Sequence, residues 1–155
     1  MKKTFALIIS ALLISGSSFA ATNKSVDEYR KDLKSDNDTL VLEAARGLGA
    51  KKSKDAMDDL IAVIKSHKNP KVRIAVANSL GMMGTKKQPT NALNEVVQSD
   101  TDNSVVYASL LAILNLADFK NASAGEALDY CEKNKTDDPF ITDVVKRIRK
   151  VINKK

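Results

Sequence analysis

One histidine and one cysteine bound what this chain can do by side-chain chemistry. His67 stands in Ser66-His67-Lys68, at the expected end of a helix, where a cationic imidazole complements the helix dipole rather than acting as a base. Cys131 follows Leu128 by three residues on an apolar helical face, close to Asp129 and Glu132. That setting fits a buried, inert thiol, because a reactive one needs positive surroundings. A lone Cys makes no internal disulfide in an oxidising compartment, so an intermolecular bond is its one alternative. A single imidazole with a single distant thiol is too small a donor set for zinc. Serines are plentiful, but a hydrolytic triad has only one base to draw on. Asp58-Asp59 and Asp137-Asp138 are neighbours in sequence, and on a helix neighbours diverge by about 100°. They suit solvated faces and caps better than convergent acid–base work. Asp100-Thr101-Asp102-Asn103 resembles the start of a calcium loop but lacks its glycine and its distal glutamate. No Gly-rich phosphate loop is present. These residues imply a protein that is not an enzyme and carries no cofactor or metal.

The start of the chain implies export. Met1-Lys2-Lys3 is basic, residues 5–14 are almost wholly apolar, and residues 15–20 are small, ending on Ser18 and Ala20. That is the pattern of a secretory signal peptide cleaved after Ala20. The apolar run is shorter than the roughly 20 residues a bilayer requires. Residue 21 is Ala rather than Cys, so no lipid is attached there. The expectation is a periplasmic or secreted bacterial protein, residues 21–155 forming one monomeric domain with no transmembrane segment. The formal charge of +6 falls by two, to +4, once Lys2 and Lys3 leave with the leader. So modest a charge without a clustered basic face excludes nucleic acid as the expected partner.

The elements that must position any site read as helices throughout. Ser25 and Glu28 form a capping box before a helix over 26–34. Asp36-Asn37-Asp38 leads into a second helix, over 39–50. A third starts near Lys54 and carries Met57, Leu60, Ile61 and Ile64 on one stripe. Asn69-Pro70 opens a fourth that ends at Gly84. A fifth begins near Pro89, with Ala92, Leu93, Val96 and Val97. Asp100-Thr101-Asp102-Asn103 caps a sixth, over 105–117. Ser123 and Glu126 suggest a capping box for a seventh. Asp138-Pro139 opens an eighth over 139–152, with Ile141, Val144, Val145, Ile148 and Ile152 on one face. The chain has no Trp and only 5% aromatic residues, so its packing must rely on small and aliphatic side chains.

Self-similarity is the most informative feature. Leu40, Val72 and Val105 share one position, Leu48, Leu80 and Ile113 another, at offsets of 32 and 33 residues. Ala56-Met57, Ala92-Leu93 and Ala127-Leu128 repeat at 36 and 35. The repeats run over about 36–67, 69–99 and 102–135, with capping helices at 26–34 and 139–152. Asn69-Pro70-Lys71-Val72-Arg73-Ile74-Ala75-Val76-Ala77-Asn78-Ser79-Leu80-Gly81-Met82-Met83-Gly84 resembles the first helix of the short HEAT-like repeats, of the kind also found in phycobilisome lyases. Residues 36–49 match less closely. Residues 103–116 depart further, with Val106 where the family has Arg and Leu114 where it has Gly. The resemblance implies an all-α fold, an armadillo-like α-solenoid of stacked antiparallel helix pairs.

The function this implies is an exported, non-catalytic protein-interaction module binding an unknown protein or peptide. The second helix of each pair usually lines the binding face of such folds. Helical phase then selects Lys54, Asp58, Lys65, Asn91, Asn94, Glu95, Gln98 and Tyr130 as exposed partner-binding candidates. The alternative is a lyase- or hydrolase-like subunit built on the repeats, which would require a closed pocket with perturbed acids. The basic tail from Lys146 to Lys155 reads as a solvated cap, with contact to an anionic surface as the other possibility.

Overall fold

A computed structural model describes residues 24–153, and the leader expected over residues 1–20 lies outside the described residues. Eight α-helices account for most of that span: α1 (Val26–Asp32), α2 (Asp38–Ala50), α3 (Met57–Ser66), α4 (Pro70–Met82), α5 (Lys87–Ser99), α6 (Asn103–Leu116), α7 (Ala122–Asn134) and α8 (Pro139–Ile152). All regular structure among the described residues is helical. This is the α-solenoid that the repeat requires. Lys54–Ala56 forms a single 3-10 turn leading into α3, so the helix expected from Lys54 begins in a tighter winding.

Local signals explain most of the starts. Asn37, Asn69, Asp102 and Asp138 each accept the N–H two residues on, at distances from 2.8 to 3.0 Å. Each thereby satisfies one of the donors that a helix leaves unpaired at its beginning. Pro70 and Pro139 then occupy the first turn, where a missing N–H costs nothing. The Ser25–Glu28 capping box closes as expected. The Ser123–Glu126 box does not. Asn121 caps α7 instead, accepting from the Ser123 N–H at 3.1 Å, and Glu126 turns to another partner. α5 starts at Lys87, two residues before Pro89, without a side-chain cap. Proline is tolerated there because the first four N–H groups of a helix have no internal acceptor. α4 ends at Met82 rather than Gly84, and Gly84 lies past the helix at φ +75°, a conformation open to glycine.

The helices stack in two layers. α2, α4, α6 and α8 lie side by side, each against the next. α3, α5 and α7 form the second layer. α1 packs on α2 and reaches α3 through the Arg30–Asp59 ion pair at 2.6 Å. Across the layers, α3 packs most extensively on α4, and α5 on α6, rather than on the helices that precede them. Loops of three residues, at 67–69 and 100–102, hold these pairs together. The sequence repeat therefore marks the period, while the tightest pairs fall one helix later.

The core runs the length of the stack. Val72, Val76, Ala77 and Leu80 of α4, with Val105, Val106, Leu110 and Ile113 of α6, are fully buried. Small residues set the spacing between these helices. A Cβ added to Gly49 would lie 2.8 Å from Ser79 Cα, and one added to Gly81 would lie 3.0 Å from Ala112 Cα. The Ser79 hydroxyl sits between the Ala45 and Ala75 carbonyl oxygens, at 2.7 and 2.8 Å, tying α2 to α4. The two ends are closed from one side each: Tyr29 and Leu33 by α1, and Ile141, Val144, Val145 and Ile148 by α8.

Candidate partner-binding face

The outward sides of α3, α5 and α7 form a continuous polar strip. On α3 the inward positions Met57, Leu60 and Ile64 are buried, which turns Asp58, Ile61 and Lys65 outward at helical spacing. On α5, Leu93, Val96 and Val97 face the core, and Gln88, Asn91, Glu95 and Gln98 face away. On α7, Ala127, Leu128 and Cys131 are buried while Glu126 is exposed and Tyr130 half-buried.

Polar links cross between these helices. Gln88 Nε2 donates to Asp58 Oδ1 at 2.5 Å, and Lys65 Nζ meets Glu95 Oε2 at 2.5 Å, joining α5 to α3. Asn121 Nδ2 donates to Asn91 Oδ1, and Asn94 Nδ2 to Glu126 Oε2, each at 2.9 Å, joining α7 to α5. Between α3 and α5 lies an open cleft of about 380 Å³ with Ile61 and Ala92 in its lining and Lys65, Lys87, Asn91 and Glu95 at its polar rim. The Lys65–Glu95 pair is well exposed, so it sets geometry and contributes no more than about 1 kcal/mol.

The structure gathers four of the sequence candidates, Asp58, Lys65, Asn91 and Glu95, at or beside this cleft. Gln98 lies one turn further along α5, Tyr130 on α7, and Lys54 stands exposed on the 3-10 turn. Asn94 is a correction. It is 5% exposed, and its amide is engaged by Glu126 and by Gln98, at 2.8 Å, so it is not a surface position. The phase of α5 alone could not show that α7 covers that side. Gln88, Lys87, Asn121 and Glu126 were missed. Gln88 was findable, three residues before Asn91 on the same stripe.

Other reactive types serve structure. His67 lies at the end of α3 as expected, where its ring also links neighbouring segments. Its Nδ1 accepts the Asn69 N–H at 3.2 Å, and its Nε2 lies 3.7 Å from Asp38 Oδ1. Cys131 is 2% exposed, and burial pushes its thiol up to about 11, against a smaller pull from Lys135. Arg73 is heavily committed within the fold. Its Nε and Nη2 clasp Asp100 at 2.7 and 2.9 Å, and its Nη1 donates to the His67 and Lys68 carbonyls at 2.8 and 3.1 Å. It thus closes the end of α3 and binds it to the end of α5.

No curated protein matches the sequence. A model of the HEAT repeats matches residues 27–115, from the first turn of α1 almost to the end of α6. HEAT repeats generally mediate protein–protein interaction. With that match over more than half its length, and with helix pairs stacked in two layers, the chain belongs to the HEAT-repeat family.

Proposed function

We propose that this chain is an exported, non-catalytic adaptor that holds a protein or peptide partner along the α3–α5–α7 face. The observation that carries the reading is the cross-linked polar strip, with its open cleft between α3 and α5. Links between helices fix those side chains before a partner arrives, which lowers the ordering cost of association. Burial of Cys131 and the structural duties of His67 and Arg73 support a binding role over a catalytic one. Export of the chain rests on the leader pattern of residues 1–20.

The test compares capture from an envelope extract by three immobilised chains. These are the wild type, a Lys65→Ala/Asn91→Ala/Gln98→Ala variant, and a control altered on the opposite layer at Arg46 and Asn78. A protein retained by the wild type and the control but lost from the cleft variant supports the reading. Equal retention by all three sinks it. The Lys65→Ala change alone is expected to move unfolding stability by no more than about 1 kcal/mol, because its ion pair is solvated. Mass spectrometry of the purified protein reads the export claim directly: the chain should begin at Ala21.

A further inference from the structure

α8 is the last helix of the described residues, with one side buried and no described element packed on the other. That outward side carries two kinds of residue. Phe140 is 72% exposed and Val151 38%, and with Met82 they are the large hydrophobics most clear of the core among the described residues. The eleven positions between Phe140 and Val151 separate them by about 16 Å along the axis and turn them within about 20° of one another. Lys146, Arg147 and Lys150, all exposed, lie between them along the axis and about 120°, 20° and 80° round the helix from Phe140. Arg147 shares its charge with Asp143 at 2.7 Å, where both groups stand in solvent. Arg149, on another side of the helix, is held by Asp129 and Glu132, so its charge is compensated within the fold. The sequence adds Lys154 and Lys155 just beyond. Phe140 is also fixed in place: its ring stands edge-on to Tyr107, centroids 6.5 Å apart and planes at 80°.

We infer that the outward side of α8 docks on the anionic headgroups of a phospholipid bilayer, with Phe140 and Val151 entering the interface and Lys146, Arg147 and Lys150 among the phosphates. Charge complementarity selects the occupant. The cores of protein interfaces are depleted of lysine and favour contiguous apolar contact. Here two single apolar side chains edge three cations over an arc of about 140° of the helix surface, and such a mixture of cations and isolated apolar side chains suits an anionic membrane interface. Aromatic rings are favoured at headgroup depth. No described helix is long and apolar enough to cross a bilayer, so the contact would be peripheral. α8 belongs to the layer opposite the cleft, and such docking leaves the α3–α5–α7 face open.

The test is co-sedimentation of the exported chain, beginning at Ala21, with vesicles of phosphatidylcholine, with and without phosphatidylglycerol. Every variant lacks the basic, apolar leader, which would otherwise bind vesicles by itself. The wild type should bind the anionic vesicles and release from them as salt rises. Lys146→Glu/Arg147→Glu/Lys150→Glu should weaken binding by at least about 100-fold, at roughly five-fold for each cation removed. Phe140→Ser should weaken it about ten-fold. Asp143→Asn, which frees Arg147, should strengthen it about five-fold, a gain that added salt removes, unlike the apolar adhesion of a misfolded chain. Failure of the wild type to bind anionic vesicles overturns the inference, as does equal binding by the charge-reversed variant. So does a loss on charge reversal with no change for Phe140→Ser, since the occupant is then an acidic macromolecule rather than a bilayer.

Discussion

α4 and α5 are consecutive helices of 13 residues each, and they answer to opposite surroundings. α4 touches α2, α3 and α6, and its apolar residues are spread around most of its circumference. α5 is apolar toward α6 and amide- or charge-bearing on the other side. Position in the two-layer stack explains the difference. An inner helix of the even-numbered layer, α4 or α6, has neighbours on both flanks and a cross-layer partner behind it, so side-chain volume matters almost all the way round. A helix in the odd-numbered layer keeps one side for solvent or for a partner. Changes in α4 should therefore register as stability, and changes on the outward side of α5 as binding.

The largest effect expected from this contrast is at Leu80, fully buried in α4. Leu80→Ala should cost about 4 kcal/mol of unfolding free energy, through lost burial and the cavity left behind. Urea titration would measure it, and a loss under 1 kcal/mol would mean that α4 is not locked on all sides. Next comes Arg73→Ala, expected to cost about 3 kcal/mol because Asp100 would remain buried without its cation. If the change proves neutral, the clasp adds nothing to the junction between α3 and α5. Gly49→Ala should cost about 2 kcal/mol, since a methyl group there presses on the backbone at Ser79 and drives α2 from α4. Tolerance at Gly49 would show that the even layer is looser than its spacing suggests. The smallest effect carries the opposite sign. Thr90 of α5 is fully buried, and its hydroxyl has no hydrogen-bond partner among the described residues. Thr90→Val should therefore raise stability by about 1 kcal/mol, seen as a higher denaturation midpoint.

Most of the architecture was legible because repeat helices announce themselves locally. Asn69-Pro70 and Asp138-Pro139 fix helix starts by chemistry contained in two residues, and the structure places both caps there. Starts without such chemistry were misplaced. Lys86 offers no side-chain cap, so Pro89 drew the boundary two residues late. The candidate face was legible only one helix at a time. Phase correctly turned Asp58, Lys65 and Glu95 outward, but it could not show α7 lying over Asn94. Glu126 illustrates the same limit. Its spacing from Ser123 matches a capping box, yet a residue 32 positions earlier holds its carboxylate. The Arg73–Asp100 clasp spans 27 residues, and neither partner carries a local sign of the other.

That clasp is not repeated at the equivalent positions, and the ion pairs at the two rims, Arg30–Asp59 and Arg149–Glu132, stand further in solvent, where such pairs contribute less. The places equivalent to Arg73 in α2, α6 and α8 hold Val41, Val106 and Thr142. Pulled by its two ends, a stack of nearest-neighbour units parts where its junctions are weakest. The outer turns of this chain will peel away under load while the middle stays closed, so its extension should proceed in steps, from the rims inward, as a spring with a stiff centre.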